Sequence, residues 1–333
     1  MLTLGIETSC DETSVALTDR RRVLSNCVTS SLRLHAKFGG VVPEIASRYH
    51  VEYINYVLAS ALRRAKKRLA DVELVAVTKG PGLVGALLIG VSAAKALSLA
   101  LGAPLVGVNH VLAHLYSVFL DHAARPKFPF IGLVVSGGHT SLYLCGDFDD
   151  VRLLGQTQDD ALGEAYDKVA KILGLGFPGG PVIEKMASGA KGRAEPRFPR
   201  AYLEEGSLDF SFSGIKTAVL YYTRGAGRLS KSLIRGICSG FQDAALDVVV
   251  DKTLSACERH GVRQVVVGGG VSANNALRQK LFQAARGRGI NAYFPDFKFC
   301  ADNAAMIGLV GEELYRRGAR SDLYMGVDSN LKL

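Results

Sequence analysis

Two histidines at helical spacing are the residues of this sequence most typical of metal chemistry. In the segment 110–114 (HVLAH) the imidazoles stand at positions i and i+4, on one face of a helix and within reach of one metal ion. A carboxylate from elsewhere must complete such a site, and Asp302 is the best candidate ligand. Helix-surface or capping histidines have the same spacing, so the spacing alone leaves both interpretations open.

The residue after the first histidine bears on the kind of chemistry. Zinc proteases with two histidines at this spacing need a glutamate there as general base, whereas this chain has Val111. The sequence therefore argues against peptide hydrolysis at this pair.

Three turns rich in glycine or hydroxyl side chains follow predicted strands, at 80–82 (GPG), 136–140 (SGGHT) and 268–275 (GGGVSANN). Glycine lets backbone N–H groups approach an anion closely, because no side chain holds the anion away. One such turn is also typical of a tight connection or a helix cap. Three together favour a phosphate-bearing ligand such as a nucleotide.

Clustered carboxylates are a further candidate for ligand binding. They occur at Asp11-Glu12, at Asp159-Asp160 and in the segment 164–167. They suit a metal-bound phosphate or sugar hydroxyls, whereas helix capping and ordinary surface charge are the alternative.

The elements that must position these residues begin with a hairpin that occurs twice. Strands predicted at Leu2–Ile6 and Thr13–Leu17 enclose a polar turn, and the same arrangement returns at Phe130–Val135 and Thr140–Leu144. A repeat of about half the chain indicates two lobes of similar topology. Two unrelated hairpins are the alternative.

Alternating helices and strands predict an α/β fold. The expected helices and strands between and after the hairpins are Glu44–Lys67, Val72–Thr78, Gly85–Leu101, Leu105–Val108, Glu164–Leu173, Ser232–Arg259, Gln264–Gly268, Asn275–Gly287 and Asn303–Arg317.

Length and composition agree with a folded protein of two lobes. Single cores usually stop growing near ~250–300 residues, and this chain has 333. The apolar stretch from Gly80 to Ala94 ends at Lys95, short of the ~20 residues that span a bilayer, so we expect no membrane segment and a cytoplasmic location. The six cysteines form no CxxC pair and are expected to be reduced and mostly buried.

The charge balance favours a polyanionic partner such as RNA. Lys and Arg number 40 against 31 Asp and Glu, a net charge of +9, with clusters at 20–22, 63–68 and 191–200. Solvated helix faces and loops explain the same clusters, so charge supports a nucleic-acid partner without establishing it.

Several ordered blocks resemble one family, the TsaD/Gcp/OSGEP proteins. The blocks are 5–13 (GIETSCDET), 80–83 (GPGL), 110–114 (HVLAH), 135–140 (VSGGHT), 163–168 (GEAYDK) and 210–217 (FSFSGIKT). A further block, 174–181 (GLGFPGGP), is similar to the bacterial and organellar branch. The matches run in order through most of the chain.

The resemblance implies a two-lobed actin-like ATPase (ASKHA) fold with duplicated lobes. It implies a first lobe at 1–109, to which 303–333 returns, and a second lobe at 110–302 with an irregular insertion at 188–206. The implied activity is a metal-dependent acyltransferase of tRNA processing. It transfers threonylcarbamoyl from threonylcarbamoyl-adenylate to N(6) of the adenosine following the anticodon in ANN-decoding tRNAs.

The resemblance also assigns site residues. The implied ligands of one divalent metal ion are His110, His114 and Asp302. The metal of the family is iron or zinc, and iron(II) is the preferred expectation of the two. The implied contacts of the adenylate are Val134, Val135, Ser136, Gly137, Gly138, Asp167, Gly180, Glu184 and Asn274. His139, Asp11 and Glu12 are candidates to relay the proton that the adenosine amine loses.

The implied partners are the tRNA anticodon stem-loop, a TsaB-like paralogue as heterodimer partner and a TsaE-like ATPase, without a membrane. Two other functions stay open: a metal-dependent glycoprotein endopeptidase, which the valine after the first histidine disfavours, and a non-catalytic nucleotide-binding scaffold, which an intact metal-ligand set disfavours.

Overall fold

The computed structural model describes residues 1–121, 126–190 and 196–333. The chain forms two compact units, one made of residues 1–125 and 295–333 and the other of residues 126–294. Each unit is built on one five-stranded mixed sheet.

The first unit contains the N-terminal hairpin and its sheet has the order β3-β2-β1-β4-β5. Its strands are β1 (Leu2–Glu7), β2 (Glu12–Asp19), β3 (Arg22–Ser30), β4 (Leu74–Gly80) and β5 (Leu105–Asn109). Its helices before the crossing to the second unit are α1 (Leu32–His35), α2 (Pro43–Ala65), α3 (Val84–Leu101) and α4 (His110–Tyr116).

The second unit has a sheet of order β10-β9-β6-β7-β8. Its strands are β6 (Phe130–Val135), β7 (Thr140–Cys145), β8 (Val151–Gln156), β9 (Gln264–Gly268) and β10 (Asn291–Tyr293). Its helices are α5 (Leu162–Ile172), α6 (Gly179–Ser188), α7 (Ser213–Gly225), α8 (Lys231–Arg259) and α9 (Asn275–Arg286). The chain then returns to the first unit with α10 (Ala304–Arg316).

The two sheets have the same topology. In each, three consecutive antiparallel strands are followed by two strands parallel to the first: β1 pairs β4 and β4 pairs β5, as β6 pairs β9 and β9 pairs β10. The duplication predicted from the repeated hairpin is confirmed. The first strand of each sheet is buried along its whole length, as expected for a strand covered on both faces.

Helix α10 lies directly on β1 because Gly5 has no side chain. A Cβ atom at Gly5 would stand 2.2 Å from the backbone oxygen of Ala304. The amide of Ala304 also donates to the hydroxyl of Ser14, at 2.9 Å. These contacts fix the start of α10, and with it the segment that carries Asp302.

The unit boundaries differ from the expected lobes. Residues 110–121 and 295–302 belong to the first unit, where 110–302 was expected to form the second lobe. The reason is packing: α4 is buried along its whole length and lies against α10. Of the expected insertion at 188–206, residues 191–195 lie outside the described part of the chain.

Helix α3 is long and apolar. Among the described residues it is the one helix long and apolar enough to cross a membrane, a test that a core helix of a water-soluble protein also passes. It packs on α2 and β4, with Gly90 against Thr8. The expectation that the chain has no membrane segment stays a prediction.

Candidate metal centre and glycine-rich turns

The first unit brings His110, His114 and Asp302 together. One ligand atom of each lies within 4.8 Å of the others. Nε2 of His114 is 3.0 Å from Oδ1 of Asp302, and Nε2 of His110 is 3.5 Å from the same oxygen. All three therefore offer a donor atom to one point.

The local fold explains why both imidazoles meet there. Strand β5 ends at Asn109, whose Oδ1 accepts hydrogen bonds from the amides of Val111 and Leu112 and so caps α4. His110 is thus the first residue of the helix and His114 lies one turn later. His110 is 6% exposed and His114 0%, which excludes a helix-surface pair.

The donor set fits a divalent transition metal. Bonds of about 2.0–2.2 Å to two imidazoles and one carboxylate put neighbouring donor atoms roughly 3–3.5 Å apart, which matches the observed separations. Three protein ligands leave at least one coordination position for water or substrate, as in catalytic sites. His110, His114 and Asp302 can therefore hold a metal ion.

A buried carboxylate, Glu7, supports one of the histidines. Its Oε2 lies 3.1 Å from Nδ1 of His110, and Glu7 is fully buried. Burial alone would raise the pKa of Glu7, but the charge and hydrogen bond of His110 outweigh it and hold the pKa below its ordinary value. Burial lowers the pKa of His110, whereas Glu7 and Asp302 raise it more, to about 9.

Asp11 ends the turn between β1 and β2 of the same unit, and Glu12 is the first residue of β2. Oδ2 of Asp11 accepts a hydrogen bond from the hydroxyl of Ser30 at 2.9 Å. Burial, followed by the nearby charges of Asp302 and Asp11, raises the pKa of Glu12 well above its ordinary value. Glu12 therefore shares its electrostatic surroundings with the candidate metal ligand Asp302.

Two histidines that sequence reasoning did not single out hold this turn in place. His50, in α2, contacts the carbonyl oxygen of Cys10 through Nε2 at 3.0 Å and the hydroxyl of Thr13 through Nδ1 at 2.7 Å. His35 bonds Ser31, whose hydroxyl donates to the carbonyl oxygen of Asp11. The acidic pair therefore lies at the end of a turn in which the carbonyl oxygens of Cys10 and Asp11 both have hydrogen-bond partners.

The turn 136–139 belongs to the second unit and follows β6. Val134 and Val135 are fully buried strand residues, so their side chains lie in the core, whereas Gly137 and Gly138 are exposed. The amide of Ser136 donates to the carbonyl oxygen of His139, and the amide of His139 to the hydroxyl of Ser136.

Helix α5 starts directly against this turn. The amide of Gly163 donates to the carbonyl oxygen of Ser136 at 3.1 Å, and a Cβ atom at Gly163 would meet that oxygen at 2.6 Å. The expected proton relay residue His139 is half-buried at the end of the turn. The turn therefore presents exposed glycines beside a helix N-terminus, an arrangement suited to an anion.

The other expected adenylate contacts also lie in the second unit and make contacts within it. Oδ1 of Asp167 accepts from the amide of Gly179, next to Gly180, at 2.6 Å. Oε1 of Glu184 accepts from the amide of Asn275 at 2.7 Å. Asn274 caps α9 through its side-chain oxygen and donates its side-chain amide to Gln242. These residues have structural roles, and their contact with a nucleotide stays a prediction.

A network around Asp159 and Asp160 was only partly visible in the sequence. Asp159 accepts hydrogen bonds from the hydroxyls of Ser211 and Ser213, at 2.5 and 2.6 Å. Asp160 forms ion pairs with Lys168 and Lys216. The block 210–217 is therefore tied to the acidic pair, which explains that pair without a ligand.

The basic clusters differ in their surroundings. Arg63 and Arg64 lie in the last turn of α2, and Lys66 and Lys67 after its end are exposed. In the cluster 191–200, residues 191–195 lie outside the described part of the chain, and Arg200 is paired with two aspartates of α8. All six cysteines are unpaired, and all but Cys10 are buried, as expected.

A sequence model of the family TsaD, tRNA N6-adenosine threonylcarbamoyltransferase, matches residues 22–309. A protein of that name from Thermodesulfovibrio yellowstonii is 48% identical over 339 residues, covering 100% of this chain and 100% of the relative. One from Symbiobacterium thermophilum is 50% identical over 333 residues, covering 100% of this chain and 97% of the relative.

Solved structures show the same fold at low sequence identity. Full-length HypF in the phosphate- and nucleotide-bound form has a TM-score of 0.62 at 15% identity, covering 96% of this chain and 47% of that chain. The ROK hexokinase from Thermus thermophilus has a TM-score of 0.50 at 16% identity, covering 96% of this chain and 100% of that chain. They indicate the α/β fold of actin-like ATPases (ASKHA).

The family model and the full-length relatives lead to the same assignment as the ordered sequence blocks. This chain therefore belongs to the TsaD family of tRNA N6-adenosine threonylcarbamoyltransferases.

Proposed function

We propose that the chain transfers the threonylcarbamoyl group of threonylcarbamoyl-adenylate to N(6) of the adenosine that follows the anticodon in ANN-decoding tRNAs, using iron(II) held by His110, His114 and Asp302. The proposed metal site is supported by one observation, the cluster of two buried imidazoles and one carboxylate around one point. Two histidines and one carboxylate with open positions are typical of non-haem iron(II) sites, which supports iron over zinc.

The reaction sets the tasks of the site. N(6) forms a bond to the carbamoyl carbon, the bond from that carbon to the phosphate oxygen breaks, AMP leaves, and the attacking amine loses one proton. When bound, the metal supplies Lewis-acid polarisation of the donor's oxygen atoms. The amine lone pair is delocalised into the adenine ring, so orientation and carbonyl activation contribute more than a strong base.

The protein's own contribution to the anionic donor is the turn 136–139. Exposed Gly137 and Gly138 suit close approach of an oxyanion or phosphate, because no side chain covers their amides. We propose that Val134 and Val135 contribute only main-chain atoms, since their side chains are buried. We propose that Gly180, Asp167, Glu184 and Asn274 contact the nucleotide in addition to making the contacts described above.

The proton acceptor is proposed among Glu12, Asp11 and His139. Without a cation, the raised pKa of Glu12 keeps its carboxyl protonated at higher pH than usual. Burial is the largest cause of the raised pKa and the repulsion from Asp302 is the next. A divalent cation held beside Asp302 would offset that repulsion and so favour the ionised form of Glu12, which can accept a proton. Asp11 is less suited because Ser30 already occupies one of its oxygens.

Family membership and surface properties support the partners that we propose. The net charge of +9 supports binding of the anticodon stem-loop, whose unstacked bases are accessible without unpairing a duplex. A TsaB-like heterodimer partner is supported by apolar side chains exposed on two adjacent helices, at Val51 and Tyr56 in α2 and Leu88 and Leu99 in α3. We further propose a TsaE-like ATPase as helper and a cytoplasmic location.

The test measures labelled threonylcarbamoyl transferred from its adenylate to unmodified ANN-decoding tRNA, with the helper proteins and iron(II) present. The variant is His110→Ala/His114→Ala, and the matched control is His260→Ala, an exposed histidine at the end of α8. We expect metal-dependent product with the wild type and the control and a loss of at least about 100-fold in the variant. A tRNA in which that adenosine lacks its exocyclic amine should give no product.

The same assay separates the alternative functions. Product from the double histidine variant at the wild-type rate would refute a metal role at this cluster. No product from any form, with helpers proven active on a related enzyme, would favour the nucleotide-binding scaffold. Peptide cleavage that persists without tRNA and donor would favour the endopeptidase, although Val111, buried at the position of the missing general base, opposes it.

A further inference from the structure

Glu7 is a buried carboxylate with no place in the reaction described above. It is the last residue of β1 and 0% exposed. Its Oε1 accepts a hydrogen bond from the amide of Ser9 at 2.5 Å, and its Oε2 accepts one from the hydroxyl of Thr78 at 2.5 Å. A buried charge is costly unless it is fully hydrogen-bonded, so these donors hold the carboxylate in one orientation.

Glu7 also contacts one of the proposed metal ligands. Nδ1 of His110 lies 3.1 Å from Oε2 of Glu7, and the hydroxyl of Ser9 lies 3.3 Å from the same nitrogen. An ionised carboxylate only accepts hydrogen bonds, so Nδ1 must carry the proton in this contact. Nε2, which faces Asp302 at 3.5 Å, is then the nitrogen whose lone pair can bind a metal.

The second histidine ligand has no such support. Nδ1 of His114 is buried and has no hydrogen-bond partner among the residues that the structure describes. Its Nε2 contacts Asp302 directly, at 3.0 Å. The two imidazoles of the cluster are therefore unequal: a fixed carboxylate determines the tautomer of His110 only.

We propose that Glu7 is a positioning residue that holds His110 in the Nδ1–H tautomer and thereby sets the affinity of the cluster for a divalent metal. This inference rests on the metal site of the proposed function. Carboxylates behind histidine ligands orient the ring and raise its basicity, and their loss typically weakens metal binding about 10–100-fold.

The experiment measures binding of Co²⁺ alone to the full-length protein, by competition with a chelator and by the Co²⁺ absorption spectrum. We expect Glu7→Gln to weaken Co²⁺ binding about 10–100-fold and to change the spectrum. The matched control is Glu312→Gln, another glutamate buried in the first unit, which bonds Arg316 and the amide of Arg20. The control should change Co²⁺ affinity by less than about threefold.

A double-mutant cycle distinguishes positioning from a general effect on the fold. If Glu7 acts through His110, Glu7→Gln causes no further loss of Co²⁺ affinity in a His110→Ala background. A loss of equal size in that background would overturn the proposal. Unchanged affinity in Glu7→Gln, with lost affinity in His110→Ala/His114→Ala, would also overturn it while leaving the metal site intact.

The unmutated protein gives a second readout that does not depend on the folding of a variant. Histidine ¹⁵N NMR of the Zn²⁺-loaded protein should show His110 protonated at Nδ1 and metal-bound at Nε2. Metal at Nδ1 would overturn the proposal. Unchanged Co²⁺ affinity in His110→Ala/His114→Ala would instead refute the metal site of the proposed function, and this inference with it.

Discussion

Replacing Gly163 with alanine should slow threonylcarbamoyl transfer without affecting the metal cluster. The added Cβ atom would stand 2.6 Å from the carbonyl oxygen of Ser136 and 2.9 Å from Cα of Gly137. Ordinary contacts need about 3.4 Å or more, so α5 and the turn 136–139 must separate by about 0.8 Å. The hydrogen bond from the amide of Gly163 to Ser136 would lengthen with them.

The magnitude follows from that displacement. Overpacking against the backbone lowers the free energy of unfolding by about 1–3 kcal/mol. Replacing glycine by alanine stabilises a helix interior by about 1 kcal/mol, and the gain at a helix start is smaller. We expect unfolding free energy to fall by about 1–2 kcal/mol. A misplacement near 1 Å can cost about 100-fold in rate, so transfer should fall by about 10–100-fold.

The assay is the initial rate of transfer at varied donor concentration, together with Co²⁺ affinity and thermal unfolding. The control is Gly225→Ala, at the exposed end of α7, where an added Cβ atom meets nothing within 4 Å. Gly225→Ala should keep full activity and gain up to about 1 kcal/mol of stability. Full activity in a folded Gly163→Ala would refute the assignment of the turn to donor binding.

Two further predictions concern charge. Burial lowers the pKa of His110, but attraction from nearby carboxylates outweighs it and raises the pKa to about 9. Because a metal binds only the deprotonated ring, Co²⁺ affinity should rise about tenfold per pH unit from pH 7 and level off near pH 9. A Co²⁺ affinity that calorimetry finds independent of pH would contradict this. Asp160→Asn should lower the unfolding free energy at pH 7 by about 0.5–1.5 kcal/mol, through lost pairs with Lys168 and Lys216. Burial raises the pKa of Asp160, but the two lysines lower it more. The stabilisation by Asp160 is therefore full above the ordinary pKa of the carboxyl group and is lost as pH falls through the lowered pKa. A difference in melting temperature between wild type and variant that stays unchanged as pH falls from 7 to 2 would contradict this.

Elements with strong local patterns were predictable from the sequence. Both hairpins are confirmed, and predicted helices such as Ser232–Arg259 begin or end within a few residues of those observed. Strands β3, β8 and β10 and helices α1, α6 and α7 were not predicted. Helix α6 begins with Gly-Gly-Pro, typical of a turn, and packing of its buried residues Ile183 and Ala187 against α8 overrides that local preference.

In the candidate site, too, features set by local sequence were predictable and features set by contacts between distant residues were not. The spacing of His110 and His114 is local, and it predicted a shared helix face correctly. Asp302 was a candidate from the sequence, but no local spacing links it to the histidines, because its place beside α4 depends on α10 packing against β1. Glu7 stood in a recognised block and received no role, since its contact with His110 joins residues 103 positions apart.

Metal binding and donor binding can be tested separately, because the residues proposed for them belong to different units. Glu7 and the three proposed metal ligands belong to the first unit, whereas Gly163 and the turn 136–139 belong to the second. A change at Glu7 should therefore weaken Co²⁺ binding, and a change at Gly163 should slow transfer while Co²⁺ binding stays normal. If both variants lost metal and activity together, the metal cluster and the glycine-rich turn would be one coupled structure, and the assignment of separate tasks to them would be wrong.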